Sequence, residues 1–156
     1  MFGKVCIIGC GLIGSSIARG IKKNKLSNKV VSSNRSDITN KKVVQLNLVD
    51  DSSSNTKKMV KESDLIIIAT PLSSYKNVIK KIKSSLKKGA IVTDVGSVKK
   101  KALTLIEKNI PKHVSWISSH PIAGTEESGA DSGFSELFKN RWCIITPSNQ
   151  AKGQDI

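Results

Sequence analysis

Short apolar, β-branched runs alternate along the chain with longer stretches in which apolar residues return every three or four positions among lysines. That alternation is the pattern of βαβ units and predicts an α/β domain with a mainly parallel sheet. The strand-like runs are Lys4–Ile8, Lys29–Ser33, Leu65–Ala69, Ala90–Val95, Val114–Ile117 and Trp142–Thr146. Helices are expected between them at Leu12–Lys23, Ile38–Leu46, Thr56–Lys61, Ser74–Leu86 and Val98–Asn109. The fourth is the clearest, because Val78, Ile79, Ile82 and Leu86 share one face, lysines fill the other, and Gly89 follows its end. The polar stretch DDSSSNTKK after Val49 reads as a solvated turn. Residues 1–147 form one domain on this reading, and 148–156, without periodicity, read as a linker or truncated tail.

Composition narrows the class. A chain of 156 residues is one domain by length and has enough apolar content for a core. No apolar run approaches the ~20 residues that span a bilayer, and the N-terminus lacks a signal-peptide layout, so a soluble, cytoplasmic protein with no membrane partner is expected. The formal charge of +14 comes from 23 lysines and three arginines scattered over many segments. Lysines neutralise phosphates, but base reading and stacking favour arginine and aromatic residues, which are scarce here; nucleic acid is disfavoured and anionic small ligands are preferred. Cys6, Cys10 and Cys143 form no C-x-x-C pair and have no neighbouring histidine, so no metal site is expected.

The stretch KVCIIGCGLIGSSIARGI sets Gly9, Gly11 and Gly14 in G-x-G-x-x-G spacing between an expected strand and an expected helix. A tight turn at Gly9, close approach of a pyrophosphate at Gly11 and close helix packing at Gly14 each call for glycine, and Leu12 and Ile13 complete the cofactor-binding turn. The second strand ends in VVSSNRSD, where an NAD-binding domain usually carries an acidic residue. Asn34, Arg35 and Ser36 stand there instead. A guanidinium and a hydroxyl suit a 2′-phosphate, so NADP is preferred, with NAD the alternative if Asp37 takes the acidic role.

Ligands of an open parallel sheet lie beyond the carboxyl ends of its strands. Three loops leave those ends: ATPLSS at 69–74, DVGSVKK at 94–100 and SSHPIAGTEESG at 118–129. Thr70 and Pro71 stand where they cover the nicotinamide half of a cofactor, and Ser73 or Ser74 can cap the next helix. Ser97 is placed either for chemistry or as an N-cap. His120 follows an expected strand and precedes a proline that denies further ladder pairing. It suits proton transfer near neutral pH, the competing reading being a polar residue that pins the loop. His113 lies at the opposite edge of the sheet. Arg141, before the last strand, reads as a surface residue.

Taken in order, GCGLIGSSIA, ATPLSSY, TDVGSVK and SHPIAGTEESGADSGFSELFKNRWCIITP resemble the prephenate/arogenate dehydrogenase family over nearly the whole chain. The resemblance implies a Rossmann-type, doubly wound fold. It also implies an NAD(P)-dependent oxidation of a cyclohexadienyl acid, prephenate or arogenate, with loss of its ring carboxylate as CO2. It gives His120 the role of base toward the ring hydroxyl and Ser97 that of aligning the hydroxyl or imidazole, and sets Thr125 and Glu126 toward the substrate. Members of that family continue into a helical domain that forms a homodimer and supplies cations for the substrate carboxylates. No such region is present in this sequence, so cofactor binding with little turnover is expected of the chain alone. Two rival readings remain: a dinucleotide-binding regulatory module without catalysis, and a different NADP-dependent hydroxyacid dehydrogenase.

Overall fold

The computed structural model describes residues 1–148, 151 and 153–155, and its first strand sets the frame for the rest. β1 (Phe2–Ile8) is followed by α1 (Leu12–Lys23), β2 (Ser27–Ser33), α2 (Asp37–Gln45), β3 (Asp51–Ser52), α3 (Thr56–Val60) and β4 (Leu65–Ile68). After a 3-10 turn at Leu72–Ser74 come α4 (Tyr75–Ile82), β5 (Ile91–Asp94), α5 (Lys99–Glu107), β6 (Ser115–Pro121) and β7 (Cys143–Pro147). The strands lie in the order β3-β2-β1-β4-β5-β6-β7. β7 alone runs antiparallel, against β6. The order reverses at β1, which is the doubly wound arrangement and puts a crevice at the carboxyl ends of β1 and β4.

A parallel sheet covered on both faces needs strands that are apolar throughout, and β1 and β4 read VCII and LIII at their buried ends. One face packs Met59 and Val60 of α3, Tyr75, Ile79 and Ile82 of α4, and Ala102 and Ile106 of α5 over Ile66, Ile68, Val92 and Trp116. The other packs Ala18 and Ile21 of α1 and Val43 of α2 over Val5, Ile7, Val30 and Ile67. Each such large side chain taken from water contributes about 1.5–3 kcal/mol before entropy is counted. The apolar stripe expected near residue 80 is this contact: Ile79, Ile82 and Leu86 are buried and Val78 half-buried.

Three expectations change. The polar turn after Val49 contains β3, whose Asp51 and Ser52 pair with Val31 and Ser32 of β2; a two-residue edge strand leaves no periodicity to read. β6 runs on through His120 and Pro121, in register with Ile144 and Cys143 of β7. Proline is tolerated because of how the amides alternate. The Ser119 N–H turns toward β5, whose strand has ended, and the Ile122 N–H turns the other way to the Trp142 carbonyl at 2.8 Å. The missing N–H of Pro121 therefore falls on the side without a strand. Finally, part of the expected tail folds back, since the Ser148 N–H and hydroxyl both donate to the Trp116 carbonyl and the Ser115 hydroxyl donates to Asp155. Residues 149, 150, 152 and 156 of that tail lie outside the described residues.

Candidate functional site

At the reversal point the chain leaves β1 through Gly9, whose φ of 94° is the left-handed region. A side chain there would lie 2.9 Å from the Ala69 carbonyl oxygen and from the Thr70 methyl, so the turn sits directly against the end of β4. A Cβ on Gly14 would collide with the Gly9 carbonyl oxygen, which is the tight helix-to-turn packing the spacing demands. Gly11 faces open space and is the N-cap of α1 without a side-chain capping bond. The N–H groups of the first turn, from Leu12 and Ile13 onward, are therefore open to an anion at the positive end of a 12-residue helix. The cradle has the room and the donors a diphosphate requires.

Asn34 belongs to the scaffold of this turn. Its side-chain oxygen accepts the Cys10 N–H at 2.7 Å, and its amide nitrogen donates to Asn40 Oδ1 at 3.1 Å and to the Ser32 and Ser52 hydroxyls at 3.3 Å. Asn40 Oδ1 also takes the Asn34 N–H at 3.0 Å and the Ser52 hydroxyl at 2.6 Å. With Asn34 engaged on both sides and only 8% exposed, the polar groups presented to solvent after β2 are Arg35, Ser36 and Asp37. Ser36 is the N-cap of α2 and its hydroxyl makes no capping bond; Asp37 lies in the first turn behind it.

Thr70 and Pro71 leave β4 beside Gly9. The Thr70 hydroxyl is buried without a hydrogen-bond partner among the described residues, and Pro71 is exposed. Ser74 is the N-cap of α4, yet its side chain makes no cap bond. At the next strand the expected alternative for Ser97 fails in the same way: Val98 is the N-cap of α5, and Ser97 stands exposed in the turn before it.

The register Ile68–Asp94–Ser118 brings the ends of β4, β5 and β6 level. There the Asp94 carboxylate is fully buried. It accepts from Tyr75 OH at 3.0 Å, Gly96 N–H at 3.0 Å, Ser118 Oγ at 2.6 Å and Ser119 N–H at 3.2 Å. Lys99 Nζ pairs with both of its oxygens, at 3.0 and 2.8 Å, and also donates to Ser118 Oγ at 2.9 Å and the Ser119 carbonyl at 2.6 Å. Burial, reinforced by the neighbouring Asp94 charge, pushes the Tyr75 phenol far up, so it remains a donor. The motif TDVGSVK held both Asp94 and Lys99, but nothing in its spacing distinguished the pair from solvated charges. Only the fold shows the carboxylate buried, with the ammonium, 18% exposed, set against it.

His120 is half-buried, with Nδ1 enclosed and unpartnered. Its neighbours Ser119 and Pro121 point to the opposite face of β6 and line an open apolar pocket of about 280 Å³ together with Ile17, Phe138, Arg141 and Trp142. Arg141 is exposed at that pocket. Thr125 and Glu126 lie in the exposed loop beyond, where Thr125 Oγ1 accepts the Glu127 N–H at 3.2 Å; no described contact joins either to Ser97 or His120. The same loop then returns across α1. Gly133 packs on Ser15, the Phe134 N–H donates to Ser16 Oγ at 3.1 Å, and Glu136 and Asp131 pair with Lys23 and Lys42. This strap was not legible in the sequence. His113 is exposed before β6, at the edge remote from the crevice.

Among the described residues no helix is long and apolar enough to cross a membrane, and no cluster of His, Cys, Asp or Glu gathers to hold a metal.

Comparison with known proteins follows the same lines. A family model described as prephenate dehydrogenase, nucleotide-binding domain, matches residues 17–156. A cyclohexadienyl dehydrogenase of Zymomonas mobilis is 36% identical over 156 residues, covering 100% of this chain and 53% of that protein. A prephenate dehydrogenase of Lactococcus lactis is 36% identical over 149 residues, covering 94% of this chain and 42% of that protein. Among solved structures, prephenate dehydrogenase from Aquifex aeolicus in complex with hydroxyphenyl propionate and NAD+ superposes with a TM-score of 0.90 at 26% identity, covering 99% of this chain and 54% of that one. The chain thus spans about half the length of the relatives it matches.

Proposed function

The chain belongs to the prephenate dehydrogenase family, through that family's nucleotide-binding domain, and from this premise we propose that it is the cofactor-binding half of a dehydrogenase that oxidatively decarboxylates prephenate or arogenate. The observation that carries the reading is the juxtaposition at the sheet's carboxyl edge: an open, glycine-lined helix N-terminus at β1, and a histidine with an unpartnered ring nitrogen at β6.

Gly11, Leu12, Ile13 and Gly14 would hold the diphosphate through backbone N–H groups, while Gly9, whose own N–H is taken by the Ser33 carbonyl at 2.9 Å, shapes the turn. Thr70, whose hydroxyl has no partner among the described residues, and Pro71 border the nicotinamide end. A nicotinamide cofactor held there would supply the acceptor for a hydride from the ring carbon that bears the substrate hydroxyl. His120 takes the hydroxyl proton as that hydride leaves, and Ser97 aligns the hydroxyl with the imidazole. Loss of the ring carboxylate as CO2 then gives the aromatic product. Thr125 and Glu126 face the substrate from the loop that follows.

NADP is the favoured cofactor. Asn34 is engaged in bracing the glycine turn, and the exposed polar groups after β2 begin with a guanidinium and a hydroxyl, a setting for a 2′-phosphate, with the exposed Asp37 carboxylate next to them. NAD is the second reading, supported by the Asp37 carboxylate in the first turn of α2. The substrates, and a homodimeric assembly through a helical half, are carried over from the family.

The test is oxidation of prephenate and of arogenate with NADP+ by the intact protein, followed at 340 nm. Turnover of one or both supports the reading; turnover of neither, with dinucleotide bound, leaves a binding module in its place.

A further inference from the structure

One carboxylate reaches the backbone immediately upstream of both Ser97 and His120. Asp94 Oδ2 accepts the Gly96 N–H at 3.0 Å, one residue before Ser97, and Oδ1 accepts the Ser119 N–H at 3.2 Å, one residue before His120. The Ser119 hydroxyl adds a bond to the Asp94 carbonyl at 2.7 Å. Lys99 Nζ bridges both carboxylate oxygens and reaches the Ser119 carbonyl at 2.6 Å, the oxygen of the peptide unit that joins Ser119 to His120. From these contacts we infer that Asp94 and Lys99 are positioning residues for the reaction: Asp94 fixes the Ser97 turn and the His120 strand end to each other, and Lys99 holds the His120 peptide in place. The inference rests on the reading of His120 as the base.

The alternative is an ion pair that serves stability alone. A buried pair serves that end poorly, because removing two charges from water offsets most of their attraction. Here the desolvated carboxylate is met by five donors from four places, namely α4, the β5–α5 turn, α5 and β6. Space around it is also reserved, since a side chain at Gly96 would lie 2.8 Å from the Tyr75 hydroxyl and 3.0 Å from Asp94 Oδ2. Fixed geometry of this kind matters where two groups must meet a third within a fraction of an ångström.

The test has two arms. In the chain itself, Lys99→Met shifts the NMR signals of the His120 imidazole and the Ser97 amide, leaves those of Gly11 and Gly14 in place, and keeps the dissociation constant for NADP+ within about twofold, the site lying away from the diphosphate cradle. In the intact protein, the same change lowers kcat roughly 100-fold, the scale of an ångström's misplacement, with little change in KM for NADP+. A double variant, D94N with K99M, removes both charges and avoids an uncompensated buried carboxylate, so it folds even where the single variant does not; it keeps the kcat defect. A folded variant whose His120 and Ser97 signals do not move, or a folded double variant with the parent kcat, overturns the inference. If the unaltered protein oxidises neither acid, the functional reading falls, and the NMR arm still decides the positioning.

Discussion

The side-chain oxygen of Asn34 accepts the backbone N–H of Cys10 at 2.7 Å, so the residue after β2 braces the middle of the glycine turn after β1. Its amide nitrogen faces Asn40 Oδ1 at 3.1 Å, and that oxygen has no proton to give. Asn34→Asp therefore sets two oxygens against each other in a buried place and strands a charge. We expect a loss of about 1–3 kcal/mol in urea unfolding, with no gain in NAD+ affinity. A variant as stable as the parent that binds NAD+ more tightly would show that Asn34 contacts the cofactor instead.

The strap from β6 across α1 depends on Gly133, where a Cβ would collide with Ser15 Oγ and lie 2.9 Å from the Ser16 nitrogen. Gly133→Ala should cost about 1–3 kcal/mol and raise hydrogen exchange across residues 122–137. Gly124→Ala, which meets nothing within 4 Å, is the control and should be silent. Acid should loosen the same segment. The hydrogen bond from Lys23 holds the Glu136 carboxyl down to about 2 from its ordinary 4.5, so this tie is whole above pH 4.5 and is lost as pH falls toward 2. Protection in the strap, taken relative to the intrinsic exchange rate at each pH, that is as high below pH 2 as at pH 6 would contradict the anchoring.

His120→Asn retains a hydrogen-bonding side chain of similar reach but cannot take a proton near neutral pH. Turnover in the intact protein should fall by about 100-fold or more while NADP+ affinity is unchanged. Parent-like turnover would remove the base from the scheme.

Burial pushes the Cys6 thiol up to about 12 and the Cys10 thiol up to about 11, whereas Cys143 is exposed on β7. Iodoacetamide at pH 8 should therefore label Cys143 alone in the native chain and all three thiols in urea, as mass spectrometry would show. Rapid native labelling of Cys10 would mean that the glycine turn opens in solution.

Much of this architecture could be read along the chain. Apolar runs such as LIII of β4 and the glycine spacing after β1 are local signals, and their alternation with helical stretches marks a parallel βαβ sheet. What escaped the sequence is non-local. Asn34 read as part of a 2′-phosphate site because its partners, Cys10 and Asn40, are defined only once β1, β2 and α2 are packed. Pro121 looked like a stop because the side of β6 that its nitrogen faces depends on where β5 ends. Asp94 and Lys99 looked like two more charges in a chain rich in them, and burial is a property of the fold.

The most direct test of the central claim is calorimetric titration of the chain with NADP+ and NAD+. The account predicts one NADP+ per chain, bound more tightly than NAD+, and at least about a tenfold loss of NADP+ affinity in Arg35→Ala with NAD+ hardly affected, the scale of one charge-assisted contact. Binding of neither dinucleotide would contradict it.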